Sequence, residues 1–348
     1  MRGRLGGGAA SVTASPSAAV AATSSKAVAV AAAVAVVAAL AVVAVGAAGC
    51  KKQARRGGGS GARATSPLPS VTRRPAEELA SPKAALHLLP PGTKSIIGLT
   101  VRGHAESPLL IAMAAGLRAR SGADGAAVAC MPSPLEQLDW LMLGDAREGR
   151  VMVLRGAGGV LPGDFGGCVA RALGLGTQIG QLWTDAGVRA LYVSERGVAV
   201  LGPRAWVEQL ARSPVDAQRA SAASAPGLDG GVGNALSIKE LVGRVEVERG
   251  FWVVLGDAGS LPARGLWGAL TLSALAIEGE FMIEFEDTSR AQTFAGMLPM
   301  LKQQPQAVEM FTTLEGVVTG SQLTVTMSSL GPQLKAFVAQ AEKAGFKL

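Results

Sequence analysis

Residues Leu138–Arg155 read LDWLMLGDAREGRVMVLR. Two apolar runs, Leu138–Leu143 and Arg150–Arg155, flank a polar stretch that turns at Glu148-Gly149, the pattern of a β-hairpin. A helix over Asp164–Leu173 follows, with Asp164 as its N-cap. Next come a second hairpin (Arg189–Ser194 with Gly197–Leu201) and a helix over Arg204–Arg212, entered through Gly202-Pro203. The same order recurs downstream. Leu270–Ile277 and Glu280–Glu286 read as a hairpin turning at Glu278-Gly279, followed by a helix over Ser289–Lys302. Thr313–Val318 and Gln322–Met327 read as another hairpin, and Pro332–Lys343 as a helix entered through Gly331-Pro332. Glu278-Gly279 lies 130 residues after Glu148-Gly149, and Leu330-Gly331-Pro332 lies 129 after Leu201-Gly202-Pro203. Matched turns in matched order imply an internal duplication.

Upstream of that stretch, Ser95–Val101 reads as a strand and Ser107–Arg118 as a helix with Pro108 at its first position. The expected fold is therefore α+β: two β-β-α-β-β-α halves, residues 85–214 and 234–348, in antiparallel sheet with helices on one face. Asp216–Gly233, rich in Ala, Ser and Gly, reads as the hinge between them.

Charge separates the folded part from what precedes it. The chain of 348 residues has 33 Lys and Arg against 26 Asp and Glu, a net +7 and a pI near 9.7. Residues 1–76 hold ten of the basic side chains and no acid, and the first carboxylate is Glu77. The remainder therefore has 23 bases against 26 acids, a net −3, so the folded part is no nucleic-acid binder. With 49% apolar residues, 4% aromatic and three cysteines, composition excludes collagen, disulfide-dense mini-proteins and polytopic membrane proteins.

Ala27–Ala48 is a run of 22 residues without a polar side chain, long enough to cross a bilayer core of about 30 Å. Cys50 follows, preceded by Ala47-Ala48-Gly49, as in the lipobox where a signal peptide is cut before a lipidated cysteine. Residues 1–49 are then a signal peptide or an uncleaved membrane anchor, and 50–84 a disordered basic linker poor in large apolar residues. Three features favour the uncleaved anchor. Ala47 stands where Leu is usual, the run exceeds the usual signal core of about 7–15 residues, and five basic residues follow it against three before. Cleavage before Cys50 is the sharper expectation. Either way the membrane is the first partner, through residues 27–50.

If Cys50 carries lipid, Cys130 and Cys168 remain as an even pair. A bridge between them would contribute about 3–4 kcal/mol in the chain-entropy model and would require an oxidising compartment. The alternative is two buried free thiols. No Cys-x-x-Cys occurs, so no zinc ribbon or thioredoxin-like centre is present.

The Cys50 context, the tether, Leu89-Pro90-Pro91-Gly92, the strand after it and Ser107-Pro108-Leu109 opening a helix together resemble predicted lipoproteins of high-GC myxobacteria. The resemblance covers residues 86–212. It implies the same architecture, with two cysteines placed like Cys130 and Cys168, and it implies no known activity.

Catalytic motifs are missing. The two histidines, His87 and His104, form no His-Glu-x-x-His, and no Gly-x-Ser-x-Gly occurs. Gly156-Ala157-Gly158-Gly159 precedes a helix, but Leu161 holds the third glycine position of a dinucleotide loop and Asp164 would repel phosphate. Gly174-Leu175-Gly176 follows a helix, where glycine is a stop signal. Glu278, Glu280, Glu284 and Glu286 alternate with Ile277, Phe281, Ile283 and Phe285. Those carboxylates share a strand face, as a Ca²⁺ or cationic-ligand array or as a solvated exterior opposite an apolar face. Trp140, Trp206, Trp252 and Trp267 read as packing residues. No cofactor is implied. The chain reads as a membrane-tethered, non-enzymatic binding or structural module of the envelope with an envelope protein as partner. The alternatives are an envelope hydrolase with its site in a cleft between the halves, and a cytoplasm-facing single-span protein.

Overall fold

Ser95–Thr100 and Phe251–Leu255 are buried along their whole lengths, so side chains on both faces of each strand need cover. In the computed structural model these two strands lie side by side at the middle of one sheet. The structure describes residues 79–119, 122–185, 187–212, 236–256 and 263–343. Readings placed on residues 1–78 and on the hinge at 216–233 lie outside these.

After a 3-10 segment at Pro82–Leu88, the first half runs β1 (Ser95–Thr100), α1 (Pro108–Arg118), α2 (Ala123–Ala129), α3 (Pro134–Gln137), β2 (Leu138–Ala146), β3 (Gly149–Gly156), α4 (Phe165–Leu173), β4 (Thr177–Ile179), β5 (Leu182–Thr184), β6 (Arg189–Val193), β7 (Val198–Pro203) and α5 (Arg204–Arg212). The second half runs α6 (Ile238–Arg244), β8 (Phe251–Leu255), β9 (Ala263–Leu272), β10 (Ala276–Phe285), α7 (Thr288–Lys302), α8 (Pro305–Met310), β11 (Thr313–Thr319), β12 (Gln322–Leu330) and α9 (Gly331–Lys343). All twelve strands form one sheet in the order β11-β12-β10-β9-β8-β1-β2-β3-β7-β6-β5-β4. Every neighbouring pair is antiparallel. Going outward from the β1–β8 seam, β1-β2-β3-β7-β6 on one side is matched by β8-β9-β10-β12-β11 on the other.

The fold is α+β with antiparallel sheet, as expected, but helices cover both faces rather than one. On one face Leu99, Leu141, Val253 and Phe281 pack under α1, α4, α7 and α9. On the other, Ile96, Trp140, Val153, Trp252 and Trp267 pack under the 3-10 segment, α5 and α6, through Ala85, Val207, Leu210, Leu241 and Val242. The reason is visible in the central strands, where FWVVL and VMVL have no polar face to leave in water. Only β10 to β12 alternate buried and exposed residues, and there the sheet is open on one side.

The hairpin expected to turn at Glu278-Gly279 turns elsewhere. Both residues lie inside β10, and Gly279 pairs with Leu270 on one side and Met327 on the other. A Cβ at Gly279 would come within 2.4 Å of the Ala269 carbonyl oxygen, so this glycine serves close strand approach. The turn is at Ser273–Ala276, closed by the Ser273 hydroxyl accepting from the amides of Leu275 and Ala276. The first hairpin does turn before Gly149. The two Gly-Pro strand-to-helix junctions also stand where read, β7 passing into α5 and β12 into α9. Beyond the six elements expected in each half stand β1 and β8, and in the first half also the β4–β5 hairpin.

Cys130 caps α2 and Cys168 lies in α4. The two form a disulfide with Cα atoms 5.8 Å apart, across a sequence separation of 38. It joins two helices that cover the same face. Cys130→Ser is expected to lower stability by about 3–4 kcal/mol, measured by denaturant unfolding, and reductant should affect wild type but not the variant.

Candidate functional site

A concave surface lies on the rim where β1 ends, and strand irregularity builds it. Between β2 and β3 the register slips at Asp139, which bulges between the pairs Leu138↔Gly156 and Trp140↔Arg155. The bulge turns the Asp139 carbonyl toward the chain leaving β1, where it accepts from the amides of Val101 (2.9 Å) and Arg102 (3.2 Å). The carboxylate meets Arg155 Nη1 at 2.9 Å, and each side chain is about 6% exposed. Arg102, Glu136, Asp139 and Gly158 are among the residues lining a 330 Å³ depression here.

The glycine loop after β3 belongs to this wall. A Cβ at Gly156 would lie 1.9 Å from the Val160 carbonyl oxygen. A Cβ at Gly197, at φ +66°, would lie 2.1 Å from the Gly159 carbonyl oxygen. These glycines allow two backbone segments to touch, which explains the run without a phosphate. Asp164 stands at the N-cap of α4, as read, but its carboxylate makes no capping bond and pairs with Arg171 instead.

A second depression, 440 Å³, adjoins the seam between the halves and is lined by Ser81, His104, Glu246, Glu248 and Arg249 among others. His104, from the loop after β1, reaches two carbonyls of the other half, with Nδ1 2.7 Å from Leu272 O and Nε2 2.9 Å from Glu248 O. These contacts tie the loop after β1 to the other half of the sheet. Thr100 Oγ1 adds a bond to the Val247 carbonyl at 2.5 Å. His87 contacts the Ala84 carbonyl through Nδ1, and burial holds its pKa below the ordinary histidine value, partly offset by that carbonyl.

The glutamates separate. Glu278, Glu280 and Glu284 lie on the open face of β10, with Glu284 accepting from the Ser321 hydroxyl, whereas Glu286 lies past the strand end and pairs with Arg290. Among the described residues no group of three or more His, Cys, Asp or Glu is placed to hold a metal. Trp140, Trp252 and Trp267 are buried. Trp140 and Trp206 also donate to the carbonyls of Leu79 and Leu88, pinning the entering chain to the sheet. Among the described residues no helix is long and apolar enough to cross a membrane.

Sequence reading missed the Asp139–Arg155 pair. Its signal was an acid inside LDWLML and a base closing VMVLR, charges that apolar strands admit only in pairs.

No protein-family model and no curated protein matches the chain. Among solved structures, crystal forms I, III and IV of TP0453 resemble it at TM-scores of 0.42, 0.45 and 0.44, with 8%, 8% and 9% identity. The matches cover 74%, 74% and 73% of this chain and 97%, 97% and 95% of those chains. Likeness at that level bears on neither site nor activity.

Proposed function

We propose that this chain is a membrane-tethered, non-enzymatic module of the cell envelope, its α+β part held outside the cytoplasm by lipid on Cys50 and used for binding an envelope protein. The observation that carries the reading is the bond between Cys130 and Cys168. Of three cysteines it occupies two, it requires an oxidising compartment, and it leaves Cys50 alone behind the Ala27–Ala48 run. The basic residues from Lys51 to Arg74 would then follow the lipid, where a basic tether can lie against anionic headgroups. A binding role is supported by the rim. Its two depressions are open to solvent, His104 ties one half to the other, and its buried acid faces a base.

The mirrored strand order about the β1–β8 seam and the repeated Gly-Pro junctions support an origin by duplication of a seven-element unit, β-β-β-α-β-β-α. Metabolic palmitate labelling of wild type and Cys50→Ser, with protease added to spheroplasts, tests the tether. Label lost in the variant and a folded part cleaved from outside are the expected results. An unlabelled wild type with a protected folded part would overturn the reading in favour of a cytoplasm-facing anchor.

A further inference from the structure

The sheet ends at β11, which bonds to β12 alone, and among the described residues no strand lies on its other side. Such an edge leaves every second residue with its N–H and C=O pointing outward, a template for another strand. Proteins blunt such edges with lysine, proline, bulges or brevity. The opposite edge, β4, is blunted by being three residues long. Thr313–Thr319 has seven residues, an unbroken register with β12, and one charge, Glu315.

Its sequence, TLEGVVT, is close to self-complementary about Gly316. Laid antiparallel on a second copy with Gly316 on the axis, Thr313 meets Thr319, Leu314 meets Val318, and Glu315 meets Val317. A Cβ at Gly316 would point at Leu298 of α7, so Leu314 and Val318 share the helix side, where both join the core. Glu315 and Val317 fall on the open face, and no like charges are opposed across the seam. Val317 is 63% exposed, and Met300 of α7 and Val308 of α8, which cover this end of the sheet, are 47% and 57% exposed. We propose that β11 is a homodimer edge, where a second copy of this chain pairs through its own β11 in that register. The two-fold closes the assembly and consumes the long edge of each copy.

The test is the mass of the full chain in detergent micelles, by sedimentation at high micromolar concentration. Wild type is expected to be a dimer. Val317→Glu sets a carboxylate opposite Glu315 of the second copy twice per dimer, and it should weaken association at least about tenfold while leaving the melting curve in place. Adding Glu315→Lys to Val317→Glu puts opposite charges across the seam and should restore the dimer. A monomeric wild type, open-ended larger assemblies from β4–β11 contact, a Val317→Glu variant that stays dimeric, or failure of the double variant to re-associate would each overturn the proposal.

Discussion

Gly98→Ala is expected to lower the melting temperature by roughly 10 °C or more. Gly98 sits in β1 directly opposite Trp252 of β8, at the seam where the halves join. An ideal Cβ there would lie 1.9 Å from Trp252 Cε2 and 2.1 Å from Cζ2. The indole cannot retreat, because Trp252 is 0% exposed and packed in the same cluster as Trp140, Val254 and Trp267. Either the ring leaves its rotamer or β1 parts from β8, and both disrupt the one ladder that makes the two halves a single sheet. Overpacking typically costs about 1–3 kcal/mol, and a clash this short in a closed core belongs above that range. Trp252→Ala alone opens a cavity costing about 3–5 kcal/mol. In the double variant the methyl has room, so the two losses should fall well short of adding, as a double-mutant cycle by thermal or urea unfolding will read. Fully additive losses would show that Gly98 is not reserved for the ring.

Asp139→Ala is expected to cost about 3–5 kcal/mol, seen as a lower urea midpoint with little change in slope. The substitution removes the carboxylate facing Arg155 while the guanidinium stays about 6% exposed, so a buried cation loses the charge that offsets its desolvation. The backbone bonds from Val101 and Arg102 to the Asp139 carbonyl are untouched, which confines the loss to the side chain. Asp139→Leu with Arg155→Met should recover most of the stability, because two apolar groups in that space carry no desolvation cost. If the rim depression serves a partner, the recovered protein will fold but bind less well. Recovery of both would assign the pair to architecture alone.

Much of this architecture was legible because local signals agreed with the fold. β1 and both hairpin strands of Leu138–Arg155 announced themselves by apolar runs between polar turns. α4 was marked by Gly174, which ends it at φ +69°. The errors arose where one residue type serves two purposes. Gly279 looked like a turn and is a point of strand contact, while the real turn is closed by the Ser273 hydroxyl inside an apolar Ala-Leu-Ala sequence. β8 has no alternation to bound it, because five apolar residues suit a buried helix as well as a strand. The second helical layer was implied by strands apolar on both faces, yet what covers a face depends on non-local packing. The same limit hid the rim, since His104 and Glu248 are joined by tertiary structure across 144 positions of sequence.

The redox state of Cys130 and Cys168 in native membranes tests the account most directly. The full chain in intact cells, trapped with acid and then treated with a mass-tagging maleimide, is expected to take up no tag at either cysteine unless reductant is added first. Tagging of both cysteines without reductant would mean thiols kept reduced, and would contradict both the bridge and the placement of the folded part outside the cytoplasm.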